Sequence, residues 1–140
     1  MRSLLIAGAS SLLLTLGMSS IPAPSFAQAT NIQGISSSVA RSRVTFAKGK
    51  SSTTINGAEN RIYVLRANAG QKLTLNVTNL GARAGVVLYN SKGKIVKGFN
   101  GYGLGDGQRF TYKLPSSGDY YILGYGGPTY HLYEFTVSIK

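Results

Sequence analysis

Residues 61–79, RIYVLRANAGQKLTLNVTN, decide the fold class. In the second half of this stretch Leu73, Leu75 and Val77 alternate with polar residues. A period of two places one face of a β-strand against a core and the other face in water. Residues 68–71, Asn-Ala-Gly-Gln, interrupt the pattern and predict a turn that joins two strands as a hairpin.

The same alternation recurs along the chain. It appears in RVTFA (residues 43–47), RFTYKL (109–114) and YEFTVSI (133–139), and the segment NSKG (90–93) predicts another turn. Short alternating segments with turns about every 8–12 residues are typical of an antiparallel sandwich or barrel and not of βαβ units. We therefore predict an all-β protein, a single antiparallel, jelly-roll-like β-sandwich of about eight short strands.

The N-terminal residues are typical of an export signal. Arg2 precedes the apolar run LLIAGASSLLLTLGM, and the small residues of SFAQA then fit cleavage after Ala27 or, alternatively, Ala29. The run is shorter than the ~20 residues of a membrane-spanning helix. We predict a signal peptide at 1–27, a flexible leader at 28–42, a β-sandwich domain at 43–140 and no transmembrane segment in the mature chain.

Composition limits the compartment and the partners. The chain has no Cys, which excludes a lipoprotein anchor and disulfides, and we expect a periplasmic or secreted protein. Cleavage after Ala27 leaves 113 residues, enough for one domain, and lowers the formal charge from +11 to +10. A basic surface favours an anionic partner, such as a wall polymer, a lipid headgroup or an acidic protein cleft, and export argues against nucleic acid. The alternative is a charged surface that only maintains solubility.

Catalytic residue types are sparse. The acids are Glu59, Asp106, Asp119 and Glu134, and the single histidine is His131. No G-x-S-x-G motif accompanies a possible Ser-His-Asp set, and one histidine with scattered acids does not form a metal-binding pattern. A glycosidase pair of carboxylates could arise by chance among four acids. We predict that the protein is not an enzyme and has no cofactor and no metal.

Tyrosine is concentrated near the C-terminus. Five of the nine tyrosines fall between residues 120 and 133. Strand alternation sends Tyr120 to one face and Tyr121 and Tyr125 to the other, so we expect some of these rings to be exposed. Exposed tyrosine provides rigid contact area in protein interfaces and stacks on sugar rings. One candidate site is therefore a glycan-binding surface formed by Tyr102, Tyr125 and Tyr130.

Several motifs carry a family resemblance. They are Phe46-x-Lys48-Gly49-x-Ser51-Ser52, Ala67-x-x-Gly70-Gln71-Lys72, Leu114-Pro115-x-Ser117-Gly118-x-Tyr120 and a closing Ile139-Lys140. In order and spacing they resemble the periplasmic inhibitors of g-type (goose-type) lysozyme, from about residue 43 to 140. More broadly, the chain is similar to bacterial pre-peptidase C-terminal domains. Both families are β-sandwiches, in agreement with the alternation.

The resemblance implies an inhibitor that blocks the glycan cleft of a g-type lysozyme with a surface loop. The implied partner-binding residues are Ser117, Gly118, Asp119, Tyr120, Tyr121, Lys48 and Lys50. We expect Asp119 to be a solvated turn residue. The sequence departs from the family because it has no Arg or Lys between residues 114 and 139, where family members carry Arg. The alternatives are a peptidoglycan- or glycan-binding module of the cell envelope and an envelope protein that acts only in assemblies.

Overall fold

The computed structural model describes residues 30–96, 99 and 103–140. The predicted signal peptide and Tyr102 lie outside these residues. The described chain contains eight strands: β1 (Ala40–Arg43), β2 (Ser52–Gly57), β3 (Arg61–Ala67), β4 (Lys72–Leu80), β5 (Gly85–Tyr89), β6 (Arg109–Lys113), β7 (Gly118–Tyr125) and β8 (Tyr133–Ile139). Within the described ranges, no helix is long and apolar enough to cross a membrane.

The eight strands form two four-stranded sheets. The first sheet has the order β1-β3-β7-β5, and the second has the order β2-β8-β4-β6. All neighbouring strands are antiparallel except β1 and β3, which pair in parallel. The predicted all-β sandwich of about eight short strands is thus confirmed, with this parallel edge pair as an addition.

The second sheet has one buried and one solvated face. Leu73, Leu75 and Val77 of β4 are at most 1% exposed, whereas the residues between them are partly exposed. Phe135 and Val137 of β8 point to the same buried side and are fully buried. The period-two pattern of the sequence therefore predicts correctly which face of β4 and of β8 is buried.

The strands β3, β5 and β7 of the first sheet are buried on both faces. Every residue of β5 is buried, and in β3 the successive residues Ile62 to Leu65 are all buried. Tyr63 faces the second sheet, where its ring meets Phe135 edge-on with centroids 5.8 Å apart. Ile62 and Val64 point to the opposite face, which must therefore be covered by other parts of the chain. A continuous apolar run is what two covered faces require.

The segment predicted as a leader contributes to that cover. Ile32 is only 5% exposed and belongs to the core cluster. The Gln33 amide donates to the Gly93 carbonyl at 2.8 Å, which ties the segment to the turn after β5. Ala40–Arg43 then forms β1 beside β3. In the described chain, Ile32 and the strand β1 therefore pack on the sandwich although they precede residue 43.

The predicted hairpin at residues 68–71 is wrong. The turn exists, with Gly70 at φ +87°, but β3 pairs with β1 and β7 while β4 pairs with β6 and β8. The chain passes here from the first sheet to the second. Turn residues specify a local reversal of the chain, but not the strand with which each arm pairs.

Gly124 gives a test of the packing between the sheets. A Cβ atom at this position would lie 2.5 Å from the ring of Tyr133, whose hydroxyl is held by hydrogen bonds to Tyr63 and Glu59. We expect Gly124→Ala to lower the free energy of unfolding by about 1–3 kcal/mol, as overpacking of a core does. In urea denaturation the control Gly105→Ala, whose Cβ would come no closer than 3.4 Å to a neighbour, should lose no stability. Equal losses in both variants would contradict the packing described here.

Candidate functional site

Three connections that carry predicted contact residues meet at one end of the sandwich, beside the turn at residues 90–94, and we call this the turn end. They are the β1–β2 connection with Lys48 and Lys50, the β3–β4 turn at residues 68–71, and the β6–β7 loop at residues 114–117. Strand pairing places them together, because Ala67 is opposite Gly118, Ser52 is opposite Ser138 and the Leu114 amide donates to the Gln71 carbonyl at 2.8 Å. The predicted contact residues Lys48, Lys50, Ser117 and Gly118 therefore share one end of the molecule.

The β6–β7 loop is held in one shape by hydrogen bonds. The Tyr120 hydroxyl donates to the Ser116 carbonyl at 2.6 Å, and the Ala69 amide donates to Ser117 Oγ at 2.9 Å. The Gly70 amide donates to the Leu114 carbonyl at 2.8 Å, and Leu114 itself is only 1% exposed. Ser116 and Ser117 remain exposed above these anchors. The loop is thus an exposed, preorganised surface.

Tyr120 and Tyr121 are not available to a partner. Tyr120 is fully buried between the sheets, and Tyr121 is 4% exposed on the opposite face of β7. The Arg41 guanidinium lies over the Tyr121 ring, 5.6 Å from its centroid. The expectation that the rings of Tyr120 and Tyr121 contact a partner is wrong, because both faces of β7 are covered. Tyr120 supports the loop from beneath.

Asp119 is also structural. It lies in β7 and not in the turn, and its side chain is 26% exposed. Its carboxylate pairs with Arg43 at 3.3 Å and with Arg66 at 3.7 Å. The expected solvated turn aspartate is therefore wrong. Gly118, just before it, has φ +150°, a conformation that residues with a Cβ rarely adopt.

A second candidate site, the aromatic cleft, lies at the opposite end of the sandwich. It is an open surface cleft of about 560 Å³ lined by Glu59, Asn60, Tyr125, Gly127, Pro128 and Tyr130. Tyr125 and Tyr130 are 40% and 65% exposed. The structure thus brings together two of the three predicted glycan-binding tyrosines, while Tyr102 lies outside the described residues.

The wall of the aromatic cleft is fixed by Asn60. Its Oδ1 accepts hydrogen bonds from the Gly126 and Gly127 amides at 3.0 and 3.2 Å. Tyr130 has φ +56°, an uncommon conformation for a residue with a side chain. Sequence reasoning missed Glu59 and Asn60, whose only signal was their place in a polar turn before a strand.

Charged groups elsewhere do not assemble into a metal-binding cluster. In residues 30–96, 99 and 103–140 there is no group of three His, Cys, Asp or Glu side chains that could hold a metal ion. His131 lies at the edge of the β7–β8 connection, where its amide donates to the Gly126 carbonyl at 2.7 Å.

Comparison with solved structures places the fold among known β-sandwiches. The chain is similar to Aeromonas hydrophila PliG, a periplasmic lysozyme inhibitor of g-type lysozyme, with 24% identity and a TM-score of 0.53 over 73% of this chain and 97% of that one. Salmonella Typhimurium PliG, also an inhibitor of g-type lysozyme, shows 20% identity and a TM-score of 0.50 over 72% and 98%. A pre-peptidase C-terminal domain of Bacillus anthracis collagenase shows 18% identity and a TM-score of 0.44 over 73% and 96%.

Sequence comparison adds no further relative. No protein-family model and no curated protein matches the chain. The structural likeness to the PliG proteins nevertheless covers nearly their whole length. The resemblance noted in the sequence is therefore confirmed for the fold.

The support beneath the β6–β7 loop can be tested with Tyr120→Phe. This change removes the hydroxyl that donates to the Ser116 carbonyl and leaves the buried ring in place. We expect the free energy of unfolding to fall by about 0.5–1.5 kcal/mol, the usual net value of one such hydrogen bond. Tyr125→Phe, at an exposed ring, should leave stability unchanged in the same thermal and urea unfolding measurements. A neutral Tyr120→Phe would show that the loop does not depend on this bond.

Proposed function

We propose that the protein is an exported, non-enzymatic inhibitor of g-type lysozyme that inserts its turn end into the glycan cleft of the enzyme. The observation that carries the proposal is the exposed β6–β7 loop, fixed by Tyr120 and by the Ala69–Ser117 hydrogen bond. A loop already held in one conformation loses little entropy on insertion. The shared fold with the PliG proteins, which are periplasmic inhibitors, supports both the activity and a periplasmic location.

The charge at the turn end suits a cleft that contains carboxylates. Glycoside-cleaving enzymes place acidic residues beside the scissile bond. Lys48 and Lys50 are exposed at this end, and the one acid of the motif, Asp119, is already paired with Arg43 and Arg66. The exposed side chains of the turn end are thus cationic or neutral. These lysines supply the positive charge that the segment 114–139 lacks.

The contact itself is assigned to Ser116, Ser117 and the backbone at Gly118, with Lys48 and Lys50 beside them. Pro115 also lies exposed in this loop. Tyr120, Tyr121 and Asp119 act by supporting the loop and do not touch the enzyme. Specificity in this arrangement comes from the shape of the loop more than from large side chains.

The central test measures lysis by g-type lysozyme in the presence of the purified mature chain. We expect the parent to inhibit and Ser116→Trp to weaken inhibition at least tenfold, about 1.4 kcal/mol, because a bulky ring at the loop tip blocks insertion. The carbonyl of Ser116 and the Ser117 bond remain available in this variant. The matched control is Ala82→Trp, at an exposed turn near the opposite end, and it should inhibit like the parent.

The same assay tests the cationic contribution. Lys48→Ala with Lys50→Ala should weaken inhibition, and Arg83→Ala with Arg109→Ala, which removes the same charge away from the turn end, should not. Absence of inhibition by the parent chain would overturn the proposed function. Equal inhibition by the parent and Ser116→Trp would overturn the role of the loop alone.

A second candidate function is glycan binding, and the geometry of the aromatic cleft favours it. Two exposed tyrosines and a carboxylate line one cleft with a fixed wall. Aromatic faces pack on the apolar faces of sugar rings, and Glu59 can accept hydrogen bonds from sugar hydroxyls. Peptidoglycan is the glycan that an exported protein of the cell envelope meets.

Co-sedimentation with insoluble peptidoglycan, without any enzyme, tests this second candidate. Tyr130→Ala should release the protein from the pellet, because it removes one stacking surface. Leu132→Ala is the matched control, since Leu132 is 64% exposed, close to the 65% of Tyr130, but does not line the cleft. If the parent does not sediment, or both variants sediment like the parent, the cleft does not bind this glycan.

A further inference from the structure

The solvated face of the second sheet carries a group of cations. Lys72 lies on β4, and Arg109 and Lys113 lie on β6, with the hydroxyls of Thr74, Thr111 and Ser138 between them. We call this surface the cationic face. It borders the turn end at Lys72 and Lys113, shares no residue with the contact assigned to the β6–β7 loop, and is remote from the aromatic cleft.

The side-chain cations of this face have no side-chain carboxylate beside them. Lys72 and Lys113 are direct cross-strand partners, an arrangement of like charges that destabilises a sheet. In the described part of the chain the salt bridges join Asp119 to Arg43 and Arg66, and none involves this face. Glu134 is on the same face of β8 but pairs with Asn56 and Asn79 at the far end of the sheet. The local excess of positive charge is therefore real.

Protection of a sheet edge explains only part of this pattern. Lysine and arginine on an edge strand discourage pairing with other chains, and β6 is an edge strand of the second sheet. Lys72, however, lies on β4, which has β8 on one side and β6 on the other. Edge protection does not explain why Lys72, which is on an interior strand, lies directly opposite Lys113.

A shallow groove gives the face the geometry of an anion site. The groove has a volume of about 160 Å³ and is lined by Lys72, Thr74, Arg109, Ser138 and Lys140. None of these side chains is a hydrophobic one, and all of them offer hydrogen-bond donors. Arg and Lys together with hydroxyl donors are the groups that bind phosphate oxygens.

We propose that the cationic face binds the phosphate headgroups of an anionic lipid surface. The face is the outer side of a four-stranded sheet, and it presents charges along β4 and β6 over a span of roughly 13 Å, four residues of a strand. Such a spread matches several phosphates in a plane better than one bound molecule. Since no large apolar side chain lines the groove, the attachment is electrostatic and sensitive to salt.

Sedimentation with vesicles tests the proposal. The full mature chain is mixed with vesicles of phosphatidylcholine alone or of phosphatidylcholine with about a third phosphatidylglycerol. Binding is expected only to the second kind, and it should decrease as salt rises. Lys72→Ala with Lys113→Ala should lower the partition coefficient about tenfold or more, given the attraction of each basic residue to an anionic surface.

The control keeps the same net charge as the test variant. Lys92→Ala with Lys94→Ala removes two exposed lysines from the turn after β5, and its partition coefficient should stay within about threefold of the parent. Equal loss in both double variants would show that net charge alone drives binding and would overturn the site. Parent protein that ignores phosphatidylglycerol vesicles, or that binds soluble polyphosphate instead, would overturn the lipid assignment. Thermal unfolding of each variant shows whether it is folded.

Discussion

The hydroxyl of Tyr133 is the constraint on which the packing of the two sheets depends. It donates to the Glu59 carbonyl at 2.7 Å and lies 2.9 Å from the Tyr63 hydroxyl, so Tyr63 donates the proton between the two rings. Burial raises the pKa of Tyr133 above its ordinary value, and the hydroxyl therefore stays protonated and keeps this role. Gly57 and Gly124 make room for it, because a Cβ at either position would lie within 2.7 Å of Tyr133 side-chain atoms.

A buried tyrosine hydroxyl lies beneath each of the two candidate sites. Tyr133 holds Glu59, and the next residue, Asn60, fixes the wall of the aromatic cleft at the same end. At the other end Tyr120 performs a similar task by donating to Ser116. In each case the hydroxyl of a buried tyrosine donates a hydrogen bond to the carbonyl of an exposed connection. Each of the two ends thus has its own buried hydroxyl beneath an exposed connection.

Sequence reasoning succeeded where one face of a strand is solvated. For β4 and β8 the alternation predicts the orientation of Leu75 and Phe135 correctly. It failed where both faces are covered, because a continuous apolar strand such as β7 does not reveal which tyrosines are exposed. For the same reason Tyr121 was expected at a surface. The leader at 28–42 looked flexible because its residues are polar and small, yet Ile32 is in the core. Long-range contacts of this kind leave no local periodicity in the sequence.

Sequence reasoning has the same limit at the candidate sites: a local pattern predicts a turn, but not which distant charged residues the fold brings together. The turn residues around Ser117 predict the loop. The pairing of Asp119 with Arg43, in contrast, depends on the parallel strand β1, which no local sequence pattern indicates. That pairing neutralises only one of the four positive charges that the arginines give the first sheet, whereas the cations around Lys72 on the second sheet have no side-chain carboxylate beside them. Solubility requires only the total charge, but the concentration of unpaired cations on one solvated face requires an additional cause, and an anionic surface supplies it.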